Sequence, residues 1–162
     1  LTQIRINIGP GNLSSLRVGI SAANIFASFA KVPVYGISSF LLYAFNYEYS
    51  NKNLITLFDL KNDNFAYAKF IKENSKISLI ESDFNINLNR IELIDMNNSI
   101  IVGTGLKKYK KKYQNNSTPT SFLDEDFKIT SESLANVDLD FQENLIFNKM
   151  PLVPFNSYSF GS

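Results

Sequence analysis

The chain has 162 residues, 44% of them hydrophobic and 19% charged, which is enough apolar material for one ordinary domain or two small lobes. With 16 Lys and Arg against 15 Asp and Glu, the net charge of +1 gives no general pull toward nucleic acid or a membrane surface. Histidine and cysteine are both absent, which excludes disulfide scaffolds, thiol nucleophiles, Ser–His and Cys–His relays and imidazole metal sites.

The first residues alternate, Leu1-Thr2-Gln3-Ile4-Arg5-Ile6-Asn7-Ile8, and predict a strand with Ile4, Ile6 and Ile8 on one face. A strand that begins at once and runs into Gly9-Pro10-Gly11 reads as the middle of a domain, with further sequence expected upstream. Asn12 is a good N-cap, and Leu13 to about Lys31 predicts a helix. Its bulk comes from Leu13, Leu16, Ile20, Phe26 and Phe29, while Ser15, Gly19, Ala22, Ala23 and Ala30 recur at helical spacing. Ser21, Asn24 and Ser28 interrupt the most apolar stretch, which falls short of the roughly 18–20 apolar residues of a membrane span. Val32 to Ile37 predicts a short buried strand, and Ser38 or Ser39 caps a second helix through about Phe45. This order is that of a parallel α/β unit.

Farther on, Asn53 to Leu60 and Asn64 to Ile71 flank the turn-rich Lys61-Asn62-Asp63 and predict a hairpin, to which Lys76 to Ile80 adds a third strand. Asn87 to Met96 is a weak amphipathic helix, and Ser99 to Val102 is a short strand ending in Gly103-Thr104-Gly105. Lys107 to Tyr113 is a charged helix or loop, and Gln114 to Thr120 a polar linker. Beyond it there is little periodicity, and Met150 to Pro154 suits an extended tail.

The segment from Gly9 to Gly19 carries the most specific signal. A strand feeding a glycine turn and a helix N-terminus offers free N–H groups to an anion, with Gly9, Pro10, Gly11 and Arg17 as the motif residues. It lacks the Lys and Ser/Thr of a P-loop and the third glycine of a dinucleotide fingerprint. Glycine inside a helix costs about 1 kcal/mol relative to alanine, so Gly19 implies a close neighbour. Two readings of the small-residue stripe stand side by side: contact with a partner helix, or packing on the domain's own sheet. Arg17 suits an anion, a partner carboxylate or a surface ion pair. Asp59, at a strand end, reads more simply as a turn cap than as a catalytic carboxylate, because no second carboxylate is placed beside it. Lys107, Lys108, Lys110, Lys111 and Lys112, with Tyr109 and Tyr113 interleaved, form either a solvated helix or a patch for RNA phosphates and bases.

Ile8 to Gly19, followed by Pro33-Val34-Tyr35-Gly36-Ile37-Ser38-Ser39, resembles the TsaB (YeaZ) family pattern GPGSFTGLRIG…PVxGVSSL. Asp59-Leu60-Lys61 with Phe65-Ala66-Tyr67 resembles its DAR…EVY hairpin, and Val102-Gly103-Thr104-Gly105 its later glycine strand end. The likeness is specific over residues 4–70 and loose over 71–106. Asn12, Leu13, Ser14 and Ser15 stand where Ser, Phe, Thr and Gly are usual, and the family's early IDTS-like segment has no counterpart.

The resemblance implies an RNase H-like, actin-like ATPase (ASKHA) α/β lobe lacking its N-terminal portion, over residues 1–50, and a smaller β-rich second lobe over 51–162. It implies a cytoplasmic, non-catalytic subunit that binds a TsaD-like protein in making threonylcarbamoyladenosine (t6A) in tRNA. The partner face would comprise Leu13, Ser15, Leu16, Gly19, Ala22 and Ala23, with no catalytic, cofactor or metal residues on this chain. ATP or ADP would belong to the partner complex, a TsaE-like ATPase would be a further partner, tRNA would be met through the complex, and a homodimer would form when the partner is absent. The alternatives are a nucleotide-binding enzyme of the same superfamily and a degenerate, inactive paralogue.

Overall fold

The computed structural model describes residues 1–113, 122–124, 126–141 and 144–155. In chain order its elements are β1 (Ile4–Gly9), α1 (Leu13–Ala30), β2 (Val34–Ser38), α2 (Ser39–Asn46), β3 (Asn53–Lys61), β4 (Asn64–Glu73), β5 (Lys76–Asn87), β6 (Ser99–Val102), α3 (Leu106–Tyr113), β7 (Phe122–Asp124) and β8 (Ile146–Phe147). Short 3₁₀ turns cover Leu88–Leu93 and Ser131–Asn136. The predicted linker Gln114–Thr120 lies outside the described residues. Two compact units result: Leu1–Phe45 with Ile129–Ser162, and Asn46–Lys128.

In the first unit β1 and β2 run parallel, Ile4 opposite Val34 and Ile6 opposite Gly36. Parallel strands need a crossover, and α1 supplies it. Asn12 starts the helix as read from the sequence, its Oδ1 accepting the Ser15 N–H at 3.0 Å. Lys31 ends it in the left-handed conformation, its N–H donating to the Ala27 carbonyl. Ile20, Ala23 and Ala27 are buried along one side of α1. The sequence placed all of 51–162 in a second lobe, whereas Ile129–Ser162 belongs to the first unit. Long-range pairing is the reason. β8 adds antiparallel to β2, and Asn24 of α1 holds the Leu152 backbone with two 2.9 Å hydrogen bonds, donating to its carbonyl and accepting from its N–H. The Arg5 guanidinium donates to the carbonyls of Leu134 and Val137 at 3.0 Å, covering the end of the Ser131–Asn136 turn. Phe40 and Phe155 meet edge to face, 5.7 Å apart, in this core.

The second unit is a five-stranded sheet in the order β5-β4-β3-β6-β7. β3, β4 and β5 form an antiparallel meander, and β6 and β7 lie parallel to β3, with α3 joining them. Two sheets of mixed α/β build, one carrying a three-strand meander continued by parallel strands, fit the RNase H-like, actin-like class read from the sequence. Ile55, Leu57, Phe65, Ile91, Ile101, Leu106 and Tyr109 are among the residues of one buried cluster, which seats α3 on the sheet. The hairpin turn is where the sequence put it, with Lys61, Asn62 and Asp63 all at positive φ. β5, by contrast, extends to Asn87 rather than stopping near Ile80.

At the end of β6 the chain passes close to β3. Gly103 has φ +113°, a Cβ there would fall against the Leu57 carbonyl oxygen, and the Gly105 N–H donates to that same oxygen at 2.9 Å. Near β7 the Tyr47 hydroxyl donates to Asp124 Oδ2 at 2.8 Å. That bond, with the N–H groups of Asp126 and Phe127, holds the Asp124 carboxyl below its ordinary 3.8. Burial first, and then Asp124, push Tyr47 up to about 12.

Gly103→Ala is expected to destabilise the chain by about 2–3 kcal/mol in urea unfolding, since strain and a backbone clash add. Gly11→Ala, whose Cβ would meet only Leu16 Cδ1 at 3.7 Å, is expected to cost less than about 1 kcal/mol. The depressed Asp124 contributes stability that is present above pH 3.8 and lost as pH falls below it. The raised Tyr47 contributes stability present below pH 10 and lost as pH climbs toward about 12. Tyr47→Phe is therefore expected to shallow both limbs of the stability–pH curve, measured by urea unfolding between pH 3 and pH 11.

Candidate interaction surface

α1 carries apolar side chains on two sides, and the structure covers one. The inner row is Leu13, Leu16, Ile20, Ala23 and Ala27, spaced three or four residues apart and half-buried to buried. The outer row is Val18, Ala22, Ile25 and Phe29, with Phe26 beside it. Val18 is 73% exposed, Ile25 68%, Phe26 63% and Phe29 89%. Soluble monomers scatter exposed apolar residues singly and rarely line them along one helix face. By length and composition alone α1 would also suffice to cross a membrane.

The predicted partner face divides between these two sides. Leu13, Leu16, Gly19 and Ala23 turn toward their own unit. A Cβ on Gly19 would meet Ile6 Cδ1 of β1 at 3.6 Å, an ordinary contact, so the close approach that its glycine implied is not found within this unit. Leu16 lies over Gly9, its Cδ1 2.8 Å from where a Cβ would stand there. Ser15 and Ala22 are exposed, as is Arg17, which has no hydrogen bond or ion pair to a described residue. The outer apolar row was the part that the small-residue reading passed over. Its signal was in the sequence all the same: a helix apolar on more than one face has more to cover than one sheet can take.

Part of the glycine turn is engaged within its own unit. Gly9 has φ +104° and its bond to Pro10 is cis. The Gly9 N–H donates to Asn7 Oδ1 at 2.8 Å, and the same oxygen accepts the Ser39 hydroxyl at 2.9 Å. The first free N–H of α1 that a side chain reaches is the one Asn12 takes.

In the second unit Asp59 behaves as a cap. Its Oδ1 accepts the Lys61 N–H at 2.9 Å and lies 3.4 Å from Lys108 Nζ. Asp83, Asp95 and Asp138 do likewise, each accepting the N–H two residues on. Lys108 also pairs with Asp63 at 3.1 Å, and that contact, ahead of Asp59, raises its pKa. Lys112 donates to the Leu88 carbonyl at 3.2 Å and to Asn89 Oδ1 at 2.7 Å. Among the described residues no group of three or more Asp and Glu is placed to hold a metal ion.

The family model described as TsaD, tRNA N6-adenosine threonylcarbamoyltransferase, matches residues 1–153. The chain belongs to the TsaD family. YeaZ from Pseudomonas aeruginosa superposes with a TM-score of 0.65 at 18% identity, over 83% of this chain and 63% of that one. A second Pseudomonas aeruginosa structure, of an uncharacterized protein with similarity to peptidase YEAZ, gives a TM-score of 0.67 at 18% identity over the same shares. At that identity the likeness is one of fold, and this chain spans less than two thirds of the length of the YeaZ chains it matches. No curated protein matches it in sequence. The TsaB (YeaZ) resemblance read from the glycine turn and the Pro33–Ser39 strand agrees with both comparisons, and the chain is related to the proteins of t6A synthesis.

The two sides of α1 are expected to respond oppositely to substitution. Ala27→Leu, at a position 1% exposed, is expected to cost about 1–3 kcal/mol by overpacking. Ile25→Ser, on the outer row, is expected to stay within about 0.5 kcal/mol of the parent in urea unfolding.

Proposed function

We propose that this chain is a non-catalytic subunit of the cytoplasmic apparatus that makes threonylcarbamoyladenosine in tRNA, and that it works by presenting the outer face of α1 to a TsaD-like protein. The observation that carries this reading is the row Val18, Ile25, Phe26 and Phe29, exposed along one helix side. Removing such a side chain from water contributes about 1.5–3 kcal/mol, so a partner helix with a matching apolar face gains from covering it. The small residues Ser15 and Ala22 on the same side leave room for close approach. Aromatic side chains such as Phe26 and Phe29 are among the residue types enriched in such contacts.

Two features favour this reading over a nucleotide-binding enzyme. The Gly9 N–H at the glycine turn is committed to Asn7, and the Ser15 N–H at the start of α1 is committed to Asn12. The chain also has no histidine or cysteine to serve as base, nucleophile or soft metal ligand. ATP or ADP then belongs to the complex, and tRNA is brought by it. A TsaE-like ATPase would join through that complex, and self-pairing of α1 would replace the partner when it is missing.

The test is co-purification with the TsaD-like protein of the same organism. Co-elution is expected, and Phe26→Ala and Phe29→Ala are each expected to raise Kd about 30-fold, while circular dichroism stays unchanged. No association, or association indifferent to both substitutions, sinks the proposal. So does transfer of the isolated chain to lipid vesicles through the same residues, or ATP binding without any partner.

A further inference from the structure

α3 holds five lysines and no acidic residue within eight positions, in a chain whose net charge is only +1. The helix is a fixed platform, because Leu106 and Tyr109 are buried in the core of the second unit. Its lysines divide by role. Lys108 is neutralised between Asp59 and Asp63, and Lys112 is tied to the 3₁₀ turn Leu88–Leu93 through Leu88 and Asn89. Lys107 and Lys111 are exposed, one helical turn apart, and have no hydrogen bond or ion pair to a described residue. Arg90, on the turn that Lys112 grips, is exposed and likewise unpaired among the described residues. Among the described residues the carboxylates near this platform are Asp59, Asp63 and Glu92, the last close enough to raise the Tyr109 hydroxyl's pKa after burial has done so. The Lys108 pairs take the first two, leaving cations in excess.

We infer that Lys107 and Lys111, on the outward side of α3, bind the phosphate backbone of an RNA, with Arg90 extending the same basic surface. Lysines at helical spacing on a packed helix hold their charges on one side before phosphates arrive, and binding gains by releasing condensed counterions. Such contacts position an RNA without reading its bases. This inference rests on the reading of the chain as part of a tRNA-modifying apparatus, but it uses a different unit of the molecule from α1 and is tested separately.

The experiment measures binding of an unmodified tRNA transcript to the full chain by fluorescence anisotropy across a series of salt concentrations. Three variants accompany it: Lys107→Gln with Lys111→Gln, a control pair Lys52→Gln with Lys76→Gln at the opposite end of the same sheet, and Phe29→Ala on α1. The α3 pair is expected to weaken binding and to lower the slope of log K against log salt by about 1.5–2, with the fold retained by circular dichroism. Phe29→Ala is expected to leave RNA binding unchanged, so loss of the TsaD-like partner and loss of RNA are read apart. The inference is overturned if the parent chain fails to bind the transcript at low salt, if the α3 pair leaves affinity and slope unchanged, or if the control pair reduces both as much.

Discussion

A helix that is apolar on two sides can satisfy only one of them within a small α/β unit. α1 spends its inner row, Leu13, Leu16, Ile20, Ala23 and Ala27, on its own unit, where Ile6 meets Gly19 and Leu16 covers the Gly9 turn. The outer row is left facing water at a cost that only a further surface can recover. That imbalance makes the helix both the seat of the first unit's sheet and its most conspicuous external feature. Asn24, which breaks the apolar run in the sequence, sits between the two rows and works as a clamp on the returning tail.

The second unit meets a different constraint, the near-contact of β3 and the turn after β6. Leu57 offers its carbonyl to the Gly105 N–H, and only a glycine fits at 103. That turn launches α3 from the sheet end, where Lys108 falls between the Asp59 and Asp63 carboxylates of the β3–β4 hairpin. Lys108 therefore balances the hairpin, Lys112 is tied to the Leu88–Leu93 turn, and Lys107 and Lys111 face outward. Charge that looked like a uniform run in the sequence becomes, in the fold, an inner anchor and an outer surface.

Local signals made much of this legible. Alternation gave β1, the Asn12 cap located the start of α1, and the Lys61-Asn62-Asp63 turn located the β3–β4 hairpin. The glycine motif carried the family, which composition alone does not. What stayed hidden depends on partners far along the chain. β8 is two residues long and exists because Gly36 and Ile37 offer it an edge. The later half of β5 is an edge strand with Glu81, Asp83 and Asn85 exposed, so it lacks the apolar run that marks a buried strand. The small-residue stripe on α1 was visible, but spacing by itself does not say which side of a helix meets its own sheet. Ile6 and the seat of Leu16 decide that.

The return of the tail has a consequence for how the molecule is made. The first unit holds residues from both ends of the chain, with Asn46–Lys128 lying between them in sequence. Emerging in order, the second unit has all its strands available while the first still lacks β8 and the Leu152 segment that Asn24 grips. Closing a loop of about a hundred residues costs only slightly more entropy than closing one half as long, but it must wait for β8 and Leu152 to emerge after the second unit. During synthesis β2 therefore stands with an open edge beside a helix whose outer side is also bare, the kind of surface that invites early capture by another chain.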